Sequence, residues 1–164
     1  MKWYTLLVII ITLINYSCEE IHQTQQSNNG KDGWLKGDNS EKFDLIASQL
    51  RGFDMAMIET GYRYQELYWA GQDQNWEYAM YQIEKIAKTI KNGLVRRPKR
   101  GESAKHFLEV TLTEMTLSIE KKDTILFNNQ FNLLTNACNN CHIKENVSFF
   151  TVKGPINRPS PIRK

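Results

Sequence analysis

The stretch Trp76–Leu94, WEYAMYQIEKIAKTIKNGL, decides the fold by the spacing of its apolar residues. Trp76, Met80, Ile83, Ala87, Ile90 and Leu94 recur at intervals of three and four, the period of a helix with one buried face. Asp73 or Asn75 can cap this helix, and Gly93 and Pro98 are expected to end it. The same period continues upstream, where a first helix over about Phe43 to Ala70 carries Ile46, Leu50, Phe53, Met57, Tyr64 and Leu67 on one stripe. Downstream, a third helix over about Ala104 to Lys121, capped by Ser103, carries Leu108, Leu112, Met115 and Ile119. After a tight junction at Asp123 and Thr124, a fourth helix aligns Phe127, Phe131, Leu134, Cys138 and Cys141. There is no alternating strand pattern before Val147, and short connections make antiparallel neighbours. The expectation is therefore all-α: an up-down-up-down four-helix bundle over residues 41–143.

The ends of the chain have a different character. MKWYTLLVIIITLINYSC opens with Lys2, an apolar run from Trp3 to Ile14, and polar residues ending at Cys18. About a dozen apolar residues are too few to span a bilayer, so residues 1–18 read as an export signal. Ser17-Cys18 lies where a lipoprotein signal is cut, which makes Cys18 a candidate lipidation site and the membrane a partner through that anchor. An ordinary signal peptide is the alternative. Residues 19–40 are rich in Gln, Asn, Gly, Asp and Ser and read as a flexible tether, with His22 solvated inside it. The net charge of +3 over 164 residues is mild and mostly scattered, which argues against a nucleic-acid partner.

Cys138-Asn139-Asn140-Cys141-His142 is the segment that carries chemistry. On a helix the three reactive side chains fall at i, i+3 and i+4, hence on one face. Two thiols there can be bonded to the vinyl groups of one haem c, with the adjacent imidazole of His142 as proximal iron ligand. Lipidation at Cys18 would then account for the third cysteine. Two rival readings remain. A dithiol redox centre wants a strand-helix context with the pair at a helix start. A zinc site needs further ligands, and His22 and His106 are remote in sequence.

At these residues the chain resembles cytochrome c prime and its low-spin relatives, the bacterial monohaem c-type cytochromes built as four-helix bundles with CxxCH near the end of the last helix. The resemblance covers about Phe43 to His142. The run Leu67-Tyr68-Trp69-Ala70-Gly71 followed by Asn75-Trp76-Glu77 is similar to a stretch of bacterial haem-bundle lipoproteins. The tail of residues 144–164 departs from the better-known members, which end sooner. The resemblance implies a periplasmic or outer-membrane location in a Gram-negative bacterium and bundles that often pair as homodimers. It also implies that the first helix offers the iron either a methionine or an apolar side chain that blocks it.

Helix geometry selects which methionine. His142 lies about 18 residues, roughly 27 Å, along the fourth helix, and the same distance back along an antiparallel first helix reaches Phe53 to Met57. Met57 is on the inward stripe and Met55 is not, so Met57 is the candidate distal ligand, with a core filler as the plainer alternative. Met115 reads as core. Arg96-Arg97-Pro98-Lys99-Arg100 places four cations at the haem end of such a bundle, to neutralise propionates or steer an acidic redox partner, or simply as a solvated loop. Phe149 and Phe150 are expected to pack on the bundle and cover a haem edge. The leading functional expectation is a one-electron carrier serving a redox partner protein and no enzyme. The alternatives are a five-coordinate binder of nitric oxide or carbon monoxide, and a thiol oxidoreductase using Cys138 and Cys141.

Overall fold

The structure, a computed structural model, describes residues 28–158. The apolar run Trp3–Ile14, Cys18 and His22 lie outside the described residues. The chain divides into two compact units, Met1–Gln49 and Leu50–Lys164. In the first, Asn29 and Leu35 form a single antiparallel bridge around a 3-10 turn, Lys31–Gly33. The stretch expected to be a flexible tether thus carries a short turn in its described part. Helix α1 (Asn39–Leu50) then starts at a reciprocal cap: the Asp38 amide donates to Glu41 at 2.7 Å and the Glu41 amide to Asp38 at 2.9 Å.

The first helix expected from the sequence does not run through to Ala70 in one piece. Arg51 sits in the left-handed region at φ 56°, and the chain restarts as α2 (Phe53–Gln72) after Gly52, whose amide donates to Asp54 at 3.0 Å. A glycine in a helix interior costs about 1 kcal/mol, so the break falls where helical propensity is lowest. Phe43, Ile46 and Leu50, upstream of the break, are exposed, and the stripe that buries apolar surface begins at Phe53.

The second unit is all-helical, with four long helical segments packed as a bundle. α2 is followed by α3 (Trp76–Arg96), capped by Asn75, whose side chain accepts from the Tyr78 amide at 3.2 Å. The third segment is interrupted: α4 (Gly101–His106) passes through a π turn at Phe107–Thr111 into α5 (Leu112–Glu120). α6 (Thr124–Lys144) starts on Asp123, which accepts from Ile125 at 2.8 Å and Leu126 at 3.0 Å.

Side chains fix the packing register. Arg63 reaches Gln82 at 3.3 Å and Tyr78 donates to Glu66 at 2.8 Å between α2 and α3. Between α2 and α6, Gln72 donates to Asn128 at 2.7 Å, and the Tyr64 and Phe131 rings lie 4.6 Å apart. The core expected from the periodicity is largely present: Leu67, Ile83, Ile90, Leu112, Met115, Ile119, Phe127, Phe131 and Leu134 are buried.

Three expectations are corrected. Gly93 does not end α3, which runs on to Arg96; a Cβ at Gly93 would lie 2.8 Å from that of Ala56, so the glycine permits close approach of α2. Ser103 is not a cap; its hydroxyl contacts the Arg100 carbonyl and the Glu145 carboxylate. Leu108 is only half-buried while Phe107 is buried, because the π turn rotates the inward face by part of a turn. Among the described residues, no helix is long and apolar enough to cross a membrane.

Candidate functional site

One cleft of the bundle collects the residues that the sequence singled out. α2 supplies Phe53, Met57, Thr60, Gly61 and Tyr64, while α6 supplies Cys138, Cys141 and His142; Ile90, Ala104, Phe107 and Val152 complete the lining. The cleft is open to solvent on one side and has a cavity volume of about 110 Å³. A neighbouring cleft shares Phe53, Met57, Cys141 and His142 and adds Arg51, Arg100, Glu145 and Phe150. Met57 is partly buried against the core, Met55 is exposed, and Met115 is fully buried among core side chains, away from this lining.

Helical spacing explains why these side chains converge. Met57, Thr60 and Gly61 stand at i, i+3 and i+4 on α2, and Cys138, Cys141 and His142 stand at the same spacing on α6. Each set therefore presents one face. Leu134 and Phe131, one and two turns before Cys138, bury that face of α6 and aim its last turns at α2.

His142 has a defined tautomer. Its Nδ1 lies 2.5 Å from the Phe150 carbonyl oxygen, which can only accept, so Nδ1 carries the hydrogen. In the neutral ring Nε2 then holds the free lone pair, the form in which imidazole binds a metal. Both cysteines are free thiols in the structure. Burial, then the neighbouring Cys141, pushes the Cys138 thiol up to about 12, and burial also raises Cys141. A reactive dithiol needs the opposite shift, obtained at a helix start or beside cations, and this pair lies at a helix end. Among the described residues no three of His, Cys, Asp and Glu gather as a metal-binding group, and His106 borders a different cleft, between α4 and α6.

Two lining residues went unnoticed in the sequence. Thr60 is 8% exposed and its hydroxyl has no hydrogen-bond partner. Thr113, Thr116 and Thr135 each donate to the carbonyl four residues back, at 2.8–2.9 Å, as helical threonines do. Gly61, in the middle of α2, would meet nothing within 4 Å if it carried a Cβ. By contrast, a Cβ at Gly71 would lie 2.1 Å from the Phe127 ring, so that glycine is required by packing. The intramolecular contacts thus explain Gly71 and leave Gly61 as empty room beside the cleft.

The basic loop and the tail are placed as follows. Arg100 borders the second cleft and pairs with Glu145 at 2.5 Å, tying the 3-10 turn Pro98–Arg100 to the end of α6. Phe149 and Phe150 do not pack on the bundle as expected; they are 73% and 63% exposed, and their rings lean on each other at 4.5 Å. It is the main chain of this segment that meets the site, through the Phe150 carbonyl. Comparison with protein-family models, with curated proteins and with solved structures finds no match for this chain.

Proposed function

We propose that this chain is a monohaem c-type cytochrome, an up-down-up-down bundle acting as a one-electron carrier, with haem held covalently by Cys138 and Cys141. The observation that carries the reading is the convergence of Met57, Cys138, Cys141 and His142 on one apolar cleft, with His142 in its Nδ1–H tautomer. The donor set fits the group: two thiols for thioether bonds, one imidazole nitrogen with a free lone pair, and one thioether sulfur from a second helix. Room fits as well, since Gly61 keeps the wall of α2 flat where any side chain would project.

Haem in this cleft supplies a ferric/ferrous couple. The protein's own residues do the rest. His142 and Met57 would bind the iron, and a methionine ligand would favour a high reduction potential. Phe53, Tyr64, Ile90 and Phe107 exclude water, which disfavours the more charged oxidation state. Arg51 and Arg100, paired with Asp54 and Glu145, line the neighbouring cleft, where their charge would also face carboxylates of the cofactor or of an acidic redox partner. Export, with Cys18 as lipid anchor to a bacterial membrane, and pairing as a homodimer belong to the same reading.

A second reading is favoured by Thr60. An unpartnered buried hydroxyl three residues from Met57 is a donor available to a small polar ligand, so a five-coordinate iron binding nitric oxide or carbon monoxide is the alternative. One experiment tests both. The full chain is produced in bacteria with working haem-attachment machinery, its mature mass is measured, and ferric and ferrous visible spectra are recorded with and without carbon monoxide. The carrier reading expects added haem mass, no free thiol at Cys138 or Cys141, and low-spin bands insensitive to carbon monoxide. High-spin bands that respond to carbon monoxide transfer the function to the second reading, and a colourless protein of unmodified mass refutes both.

A further inference from the structure

Beyond the residues that would hold haem, the segment after α6 follows an ordered route back past His142. α6 closes in a Schellman turn: Asn146 is left-handed at φ 59°, its amide donates to Ile143 at 3.0 Å, and the Val147 amide donates to the His142 carbonyl at 2.9 Å. The turn reverses the chain so that it runs back along α6. Phe150 then presents its carbonyl to His142 Nδ1 at 2.5 Å. Two residues later Val152 is gripped through both of its backbone polar groups. Its amide donates to Asn139 Oδ1 at 2.8 Å, and its carbonyl accepts from Asn139 Nδ2 at 2.9 Å. Farther on, Tyr64 donates to the Lys153 carbonyl at 3.3 Å and Arg158 pairs with Asp73 at 2.6 Å.

We propose that Asn139, the residue after the first cysteine of CxxCH, is a positioning residue for His142. Through its two-point grip on Val152 it holds the Phe150 carbonyl against Nδ1, and so sets the tautomer, orientation and donor strength of the iron ligand. The inference rests on the haem reading above and deepens it. The physical case is one of lever length. The Phe150 amide closes a turn on the Val147 carbonyl at 2.9 Å, but no helix or strand of residues 147–158 ties that turn to α6, and Phe150 is largely exposed. A carbonyl on such a segment stays in line with an imidazole only if the chain is clamped nearby; Asn139 is the α6 side chain that clamps it, one turn before His142, and Tyr64 of α2 holds the chain one residue farther on. An amide side chain suits this role because one carboxamide offers both an acceptor for the Val152 N–H and a donor for the Val152 carbonyl. An imidazole whose N–H is held by a carbonyl is a stronger electron donor to the metal, which favours ferric iron.

The test uses the full chain in two states. In chain made without haem, nitrogen-15 NMR of His142 reads the tautomer directly. The expected result is a single Nδ1–H form in the unsubstituted chain and in Phe150→Ala, which keeps the carbonyl, and a mixture of tautomers in Asn139→Leu. In the haem-loaded chain, Asn139→Leu is expected to raise the reduction potential and change the ligand-to-metal bands, with Asn139→Asp, which retains only the bond from the Val152 amide, falling between. A tautomer and potential that stay unchanged in Asn139→Leu overturn the proposal, provided that its helical circular dichroism matches the parent. If Asn139→Leu loses that signal, Asn139→Asp decides by the same two readouts. A chain that never acquires haem defeats the functional reading instead, and the NMR measurement still decides whether Asn139 positions His142.

Discussion

Replacing Gly61 with alanine separates an empty cleft from one meant to be filled. In a helix interior alanine is favoured over glycine by about 1 kcal/mol. Nothing lies within 4 Å of the added Cβ, so in chain made without haem that gain should appear undiminished. With a urea m-value of about 1.5 kcal/mol/M, the unfolding midpoint rises by roughly 0.7 M. When haem lies against α2, the same methyl intrudes on the space it needs, and overpacking of about 1–3 kcal/mol cancels or reverses the gain. The assay is a pair of urea titrations followed by circular dichroism, one on the loaded chain and one on the unloaded chain, each for the parent and Gly61→Ala. Equal stabilisation of both forms, within about 0.3 kcal/mol, would refute the claim that the wall at Gly61 is left flat for a bound group.

Further expectations follow from the same geometry. Gly71→Ala should destabilise the bundle by about 1–3 kcal/mol in chemical denaturation despite its better helix propensity, because its methyl collides with Phe127. Met57→Ala should convert a low-spin spectrum to a high-spin one and open the iron to carbon monoxide; an unchanged spectrum removes Met57 from the ligand set. The folded Cys138 thiol is raised from 9.0 to about 12, and Tyr64 is raised by burial from 10.0 to about 12. The unfolded chain therefore loses these protons first as pH rises. Stability of the unloaded chain is full below about 9 and declines between about 9 and 12. Cys138→Ala should flatten the start of that decline in pH-dependent melting, and the loaded chain, whose sulfur no longer titrates, should lack the Cys138 part altogether.

Much of the bundle is legible in the sequence because burial of one helical face leaves a period that survives in the linear order. Ile83, Ile90, Met115, Phe127 and Leu134 are core in the structure for the reason their spacing suggests. The same logic failed at Ile46 and Leu50, where the stripe continued across Arg51 and Gly52 although the backbone did not. Spacing records which residues share a face, and it is silent on a single left-handed residue that ends the helix. Leu108 misled for a related cause, since the π turn at Phe107–Thr111 shifts the face without altering the pattern.

For the site, CxxCH and Met57 could be read locally. The motif needs only i, i+3 and i+4 spacing, and the methionine only a count along helices of known rise. That Met57, Cys138, Cys141 and His142 would line one cleft depended on how α2 packs on α6, through Tyr64 against Phe131 and Gly71 against Phe127. Thr60, Gly61 and Asn139 left no trace in the linear pattern. A missing hydroxyl partner, an unneeded absence of a side chain and a grip on a peptide thirteen residues away are relations between distant atoms, and such relations exist only once the chain is folded.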